Sequence, residues 1–552
     1  MLRQDFPPEL RPAGPTGRID NTGRMTRRQL LVRASVFGFS LTAAGRLLTA
    51  CGGSTTTSEG SPSASAAPTK GGSIKVTALT PLSALDPVTM YQTGDISTVE
   101  QICEYLIWIN NDLTLRPVLA ESWSPDATGA VWTFKLRQGV TFNDGSPCAA
   151  DDVVSTFDRL VNPDSGSGAL SALKGILSPS GTQKVDDYTV QFNLDTAFAD
   201  FPYLVSSGNY NSVILHRDFA GDFRKKPVGT GPFMLTDYKN KQTATLKRNP
   251  NYWQKGLPYL DEVSFVYIDD AQAQAVQLQS GAVDLQAQTA FQGSQALFAN
   301  PNLDVITTHS TALREVAMRV DKKPYSDKNV RQAVAYCLDR QAIMKALYDG
   351  KGTQGNDQIF SPLYPASPSF PDRAQDYDKA KQLLSDAGFA GGVKLTLTTA
   401  ASYLDLAQYA QIIGAQCKPA GIEIKLDSMS ATEFYGGDSS TTPWLNADMT
   451  IVEWSPRPVA AQYIQAMLTK ASVWNSSHWA NSEFDGLFKQ YSATVDEGSR
   501  SEIATKMGAI QQDETPVVLA FWMDSLRATT KRVHNVQGLE AYLDLTNAYV
   551  TA

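Results

Sequence analysis

The side chains that carry most protein chemistry are few and scattered along this 552-residue chain. The four histidines, His216, His309, His478 and His534, stand far apart, with no HExxH or Cys/His spacing that would bring several ligands to one metal. No GxSxG elbow offers an activated serine, and no GxxxxGK[ST] loop offers backbone amides to a phosphate. Catalysis, a metal centre and a bound cofactor are therefore not expected. The cysteines point to other chemistry. Cys51 closes Leu48-Thr49-Ala50-Cys51, where small neighbours give a peptidase access and the thiol becomes the lipidation point. Cys103, Cys337 and Cys417 fall in stretches expected to be helical, where a free buried cysteine is the commoner reading. Disulfides Cys103–Cys148 and Cys337–Cys417 stay open, because an exported chain meets oxidising surroundings.

Export itself is read from the front of the chain. The first 50 residues carry eight arginines against three acids. Thr26-Arg27-Arg28-Gln29-Leu30-Leu31 precedes an apolar stretch from Ala34 to Gly45, which reads as a twin-arginine lipoprotein signal over 25–50. That stretch is shorter than the roughly 20 residues a membrane span needs, and Arg33 and Arg46 flank it. Met25 is an alternative start that would leave 1–24 untranslated. Residues 51–70, from the lipidated Cys51 through GGSTTTSEGSPSASAAPT, have no large apolar side chain to bury and read as a tether. With 42% hydrophobic and 19% charged residues, the remainder has the composition of a globular body of about three folding units. The whole chain holds 48 basic against 56 acidic residues, so no basic field exists for nucleic acid.

The elements that must position a site follow from periodicity. Ile74 to Leu79 alternates as a first strand, and apolar spacing from Ser97 to Asn110 predicts a helix. Trp132 to Leu136 reads as a strand, and the turn formers of Phe142 to Pro147 lead into a helix from Asp151 to Leu160 with an acidic start. A helix is expected from Asn329 to Leu347. Lys394 to Thr398, Leu404 to Ala420 and Ile422 to Leu426 then alternate as strand, helix and strand, the pattern of an α/β lobe.

Several motifs along this body resemble one family in order: Leu119-Ala120-Glu121-Ser122-Trp123, WTFKLRQGVTFNDGSP at 132–147, Asp152-Val153-Val154, PVGTGPF at 227–233, Asn249-Pro250-Asn251-Tyr252-Trp253, Asp327 to Ala333, Leu338-Asp339-Arg340 and Ser482-Glu483-Phe484-Asp485. The chain is similar to the extracytoplasmic solute-binding proteins of family 5, the peptide, nickel and opine receptors of ABC importers. The resemblance implies an α/β, periplasmic-binding-protein type II fold in its large two-lobed form, with a subdomain inserted in the first lobe. By that pattern 73–97, 228–316 and 515–552 form the lobe I core, 98–227 the inserted subdomain and 317–514 lobe II. It further implies a monomer held by its lipid anchor at the outer face of the cell membrane, which passes its ligand to permease subunits backed by ATPases. Most of the motifs read as structural. Gly229 and Gly231 suit a tight turn, Arg331, Asp339 and Arg340 suit helix placement, and Trp123, Trp132 and Trp253 suit the core. Cys148-Ala149 stands where relatives often have Thr, which removes the usual cap of the next helix.

The ligand site is also inferred from the resemblance. In peptide-binding relatives the segment after the residue corresponding to Trp454 supplies an aspartate for the ligand's amino group, whereas Glu453-Trp454-Ser455-Pro456-Arg457-Pro458 puts Arg457 there. A guanidinium repels an ammonium and receives a carboxylate in a bidentate fork, so the expected ligand is a peptide or peptide-like carboxylate. The competing reading of Arg457 is an ordinary solvated arginine. Asn356 and Asp357 are expected at the cleft rim, Asp357 as an amine anchor, against the reading of a plain turn. Tyr91, Gln92 and Thr93 are expected to contribute from lobe I, and Trp444 and Trp454 to stack on the ligand. Arg319 is expected at the hinge. Other readings are a receptor for an opine, an oligosaccharide or a chelated metal, a hydrolase on this fold, and a sensory binding protein.

Overall fold

The computed structural model describes residues 68–551 apart from 84, 366, 402 and 539–541, so Cys51, the signal and most of the tether lie outside the described residues. The expected first strand, Ser73–Ala78, buries Ile74, Val76 and Ala78. It lies inside a seven-stranded sheet ordered Leu303–Thr308, Ser525–Thr530, Leu285–Gln286, Ser73–Ala78, Glu262–Tyr267, Thr243–Arg248, Phe233–Lys239. Ser73–Ala78 runs parallel to both neighbours, and the remaining pairs are antiparallel.

A second sheet of six strands is ordered Gly352–Gln354, Val517–Met523, Leu313–Met318, Met449–Trp454, Val393–Ala400, Ile422–Met429. Its three central strands are buried at every position, which explains runs such as VVLAFWM: a strand covered on both faces gains from apolar residues on each. The chain changes sheets twice, between Thr308 and Leu313 and at Asp524. The expected lobe boundaries at 317 and 515 are thereby corrected. Residues 313–316 already pair in the second sheet, and so does the whole strand Val517–Met523. A separate four-stranded meander, Ala120–Pro125, Val131–Leu136, Thr189–Asn193, Thr182–Asp186, lies within 98–227 and packs Phe134, Phe157, Phe192 and Phe201 against one another.

Three expected elements differ. The helix placed at Ser97 to Asn110 runs Thr93–Val99, and Ile107–Ile109 is a strand. Side chains from 93 to 109 are buried on all sides, so apolar spacing there does not report one helical face. Between them the chain lies under the PVGTGPF turn: Gly231 N donates to Ile102 O at 2.8 Å, and a Cβ on Gly229 would stand 2.0 Å from the same oxygen. That approach is what requires glycine at 229. The long helix from Asn329 is two, Lys328–Tyr336 and Arg340–Tyr348, broken where Asp339 caps the second through Ala342 N at 2.9 Å. Leu404–Cys417 ends in a 3-10 turn, Lys418–Ala420.

The helix Ala150–Leu160 has no side-chain cap at Ala149, yet Asp152 still accepts from Ala149 N at 2.9 Å, half of a capping box. The four cysteines at 103, 148, 337 and 417 are buried and free. No helix among the described residues is long and apolar enough to cross a membrane.

Candidate functional site

A cavity of about 770 Å³ lies between the two large sheets. Ala78, Gln92, Thr93, Tyr210 and Gln288 line it from the first; Tyr435, Trp444, Glu453, Trp454 and Arg457 line it from the second. The second sheet change passes through its wall as Met523, Asp524 and Ser525.

Arg457 follows the C-terminal end of the strand Met449–Trp454, where regular pairing stops and side-chain hydroxyls take over. Its N–H donates to Thr311 Oγ1 at 3.1 Å, and its carbonyl accepts from Thr311 Oγ1 at 2.8 Å and from Tyr364 OH at 3.1 Å. Tyr463 OH lies 2.6 Å from both Thr311 O and Ser455 O. The backbone that presents the guanidinium is thus tied to the first sheet change at Thr311. The side chain is half-buried, and its Nε has no hydrogen-bond partner among the described residues. Its charge reaches the first lobe: burial pushes the Tyr210 phenol up, and Arg457 pulls it partly back. Beside it Pro458 meets the same lobe, since a Cβ on Gly208 would lie 3.0 Å from Pro458 Cγ.

Trp454 is held by its edge, Nε1 donating to Glu315 Oε2 at 2.5 Å, with its ring 5.8 Å from Trp474 and 6.1 Å from Tyr463. Burial raises the Glu315 carboxyl to about 8. Glu453 stands opposite Arg314 in register and is 4% exposed. Tyr435 OH donates to its Oε2, whereas its Oε1 has no partner among the described residues. The Tyr435 ring lies 6.1 Å from Tyr403 and 5.9 Å from Trp444. On the first lobe, Thr93 Oγ1 donates to Gln288 Oε1 at 3.2 Å.

Of the residues expected from the sequence, Gln92, Thr93, Trp444, Glu453, Trp454 and Arg457 come together around this cavity. Tyr91 is not among the lining residues and sits within Coulomb reach of Tyr210. Asp357 is elsewhere, which corrects its assignment as an amine anchor. Fully buried, its Oδ2 accepts from Arg340 Nη2 at 2.6 Å and lies 3.1 Å from Arg373 Nη1, and its Oδ1 accepts from Leu519 N at 3.1 Å. Both oxygens are taken. Asn356 likewise fixes its own loop, its carbonyl accepting from Gln512 Nε2 at 2.8 Å and its Oδ1 from Gln358 Nε2 at 2.7 Å. Arg319 does not span a hinge: it grips Asp321 at 2.7 Å and Asn446 O at 3.0 Å inside the second lobe. Sequence reasoning missed Tyr210, Tyr403, Tyr435 and Trp474. The one local signal was Glu433-Phe434-Tyr435 ahead of Gly436-Gly437, aromatics on a short helix running into a loop. Among the described residues no group of three or more His, Cys, Asp or Glu side chains is placed to hold a metal ion.

Comparison with known proteins agrees with this architecture. The "Glutathione-binding protein GsiB" of Salmonella typhi is 26% identical over 446 residues, 79% of this chain and 86% of that protein. The substrate-binding protein CtaP of Listeria monocytogenes superposes with a TM-score of 0.76 at 21% identity, covering 88% of this chain and all of the other. The periplasmic murein tripeptide-binding protein MppA, in its unliganded open form, gives 0.75 at 21% identity over 87% of this chain and 97% of its own. The fold is the α/β, two-lobed type II periplasmic binding-protein fold. The sequence model described as "Bacterial extracellular solute-binding proteins, family 5 Middle" matches residues 114–476. A chain that gathers its aromatic and charged side chains around a cleft between two sheets, and carries this match along most of its length, belongs to family 5 of the bacterial extracellular solute-binding proteins.

Proposed function

We propose that the protein is the receptor of an ABC importer and captures a peptide or peptide-like solute whose carboxylate is received by Arg457. The observation that carries this reading is the Arg457 guanidinium on the cavity wall, its backbone fixed on both sides and its Nε without a hydrogen-bond partner among the described residues. The planar fork of a guanidinium fits a carboxylate. A cavity of about 770 Å³ matches the ~300–1,000 Å³ typical of small-ligand sites, and so suits a short ligand rather than a long chain. The names of two relatives, glutathione-binding and murein tripeptide-binding, agree with a short peptide compound. Gln92 and Thr93 contact the ligand from the first lobe and Trp454 packs against it, while Cys51 anchors the chain outside the membrane and closure of the lobes presents the loaded form to the permease.

The test is thermal shift and calorimetry of residues 71–552 against a tripeptide library, with Arg457→Ala alongside. Loss of about 10- to 150-fold in affinity for carboxylate peptides is expected, the equivalent of one charge-assisted hydrogen-bonding pair at ~1.5–3 kcal/mol. Peptide affinity unchanged in Arg457→Ala would remove the assigned site. Stabilisation by sugars or metal chelates alone would remove the peptide reading.

A further inference from the structure

The sequence leaves two disulfide pairings open, and the structure separates them. Cys103 Sγ donates to Val228 O at 4.0 Å, and the charges that reach Cys148 are those of Asp152, Glu104 and Arg217. Cys337 and Cys417 instead meet each other. Cys337 closes the helix Lys328–Tyr336, Cys417 is the last residue of Leu404–Cys417, and both are 0% exposed. A hydrogen bond between the two thiols, ahead of burial, holds the Cys417 thiol well above its ordinary value. The chain is pinned on either side of this contact. Asp339 N, two residues after Cys337, donates at 2.9 Å to the side chain of Gln416, one residue before Cys417. The helix Tyr377–Asp386 covers the pair, packing on Lys328–Tyr336 and on the 3-10 turn that follows Cys417. Its start is fastened beside the first thiol: Asp376 N donates to Tyr336 O and Gln375 Nε2 to Cys337 O, both at 2.8 Å. Burial pushes the partly exposed Tyr377 phenol up, and the charges of both thiols add to that rise. The cavity lining includes neither sulfur.

We propose that Cys337 and Cys417 form a disulfide in the working protein, a covalent staple inside the second lobe, and that the dithiol of this structure is its reduced form. The family is extracellular, and thiols there meet oxidants. The oxidant is an organic disulfide. One cysteine thiolate attacks a sulfur of that donor, making a mixed disulfide and releasing the donor's first thiolate. The second cysteine thiolate attacks the mixed disulfide at the cysteine sulfur, which closes the Cys337–Cys417 bond and releases the donor's second thiolate. Both cysteine protons pass through solvent to the departing sulfurs, and the chain loses the two electrons that the donor gains. Because both sulfurs are buried and the Cys417 thiol is held protonated, exchange takes place before Tyr377–Asp386 docks or when its start lifts. The closed bond shortens the loops open to the unfolded chain and so favours the folded lobe.

The experiment takes the full chain through a mixture of oxidised and reduced glutathione, in one arm refolding from urea and in the other kept folded. Thiols are blocked in denaturant with one alkylating label, disulfides are then reduced and blocked with a second, and peptide mass spectrometry reads each cysteine. The expected result is the second label on Cys337 and Cys417, the first on Cys103 and Cys148, and a linked Cys337–Cys417 peptide pair before reduction. The linked protein should melt ~4 °C or more above its reduced form, the shift a cross-link closing a long loop gives. Cys337→Ser should erase that gap and Cys103→Ser should keep it; if Cys337→Ser does not fold, the labels on the wild type decide. The first label on all four cysteines in both arms would overturn the disulfide, as would a linked Cys103–Cys148. A linked Cys337–Cys417 that melts with its reduced form would overturn the staple.

Discussion

Asp357 and Arg457 are both charged residues in irregular segments, yet one belongs to the core and the other faces the cleft. The difference is set by partners distant in sequence. Arg340 and Arg373 converge on Asp357, and neither pairing follows from local pattern. Arg457 was legible as a residue of the cavity wall because its neighbours Trp454, Pro456 and Pro458 mark a strand end that opens on a site in the resembling family. Replacing Asp357 by Ala leaves two buried guanidinium groups without their anion, so a loss of about 3–5 kcal/mol in urea unfolding is expected. Stability near that of the wild type would show that Arg340 and Arg373 find other acceptors. The buried carboxyls give a second expectation. Burial raises Glu100 to about 8, Glu104 to about 7 and Glu315 to about 8, so the folded protein binds these protons more readily than the unfolded chain. Their contribution is complete below the ordinary carboxyl value near 4.5 and is lost as pH rises through 7 to 8. Melting temperature should fall from about pH 4.5 to about pH 8 and level off above it, and Glu315→Gln, which still offers Trp454 Nε1 an acceptor, should flatten part of that fall. A profile unaffected by Glu315→Gln would show that another group carries it.

At the scale of elements, the sequence was most legible where one face of an element meets the core and the other meets solvent. Val131–Leu136 and Ala150–Leu160 lie within a residue of where periodicity put them. It was least legible where burial is complete. The stretch 93–109 is buried on every side, polar residues included, and the turn at Gly229 and Gly231 lies against Ile102 O. The break between Lys328–Tyr336 and Arg340–Tyr348 was written in the sequence as Asp339 and was masked by continuous apolar spacing across it. Asp339→Ala should cost about 0.5–2 kcal/mol, the usual worth of an N-cap, and Asp339→Asn much less, because an amide oxygen also accepts from Ala342 N. Equal losses for Ala and Asn in chemical denaturation would mean that the charge and not the cap holds the second helix.

At the scale of the molecule, the lobes are joined by more than the two strand crossings. The inserted four-stranded unit reaches the second lobe through Asp200 and Arg500, a forked pair with Nη1–Oδ1 at 2.8 Å and Nη2–Oδ2 at 2.5 Å. Ala199 N donates to Ser492 O at 2.7 Å beside it, and the Arg500 guanidinium lies 4.2 Å from the Tyr491 ring centroid. Both charges are largely buried, at 15% and 6% exposure, so the pair is sheltered from salt. No repeat or motif announced it, since its halves are 300 residues apart. A contact that joins the lobes in one arrangement biases the equilibrium between open and closed clefts by its own free energy, and ligand affinity follows the population of the closed form. Removing Arg500 alone strands Asp200 and mixes destabilisation with opening. The double replacement Asp200→Asn with Arg500→Met leaves no buried charge behind and isolates the conformational term. With the pair gone, small-angle scattering of the unliganded protein should give a larger radius of gyration, and peptide affinity should fall about 3- to 30-fold, the factor for roughly 0.6–2 kcal/mol of bias. Arg457→Ala, which removes a guanidinium from the cavity wall and leaves the Asp200–Arg500 pair in place, should change affinity without changing the unliganded radius. If the double variant scatters and binds as the wild type does, the strand crossings alone set the resting arrangement of the lobes.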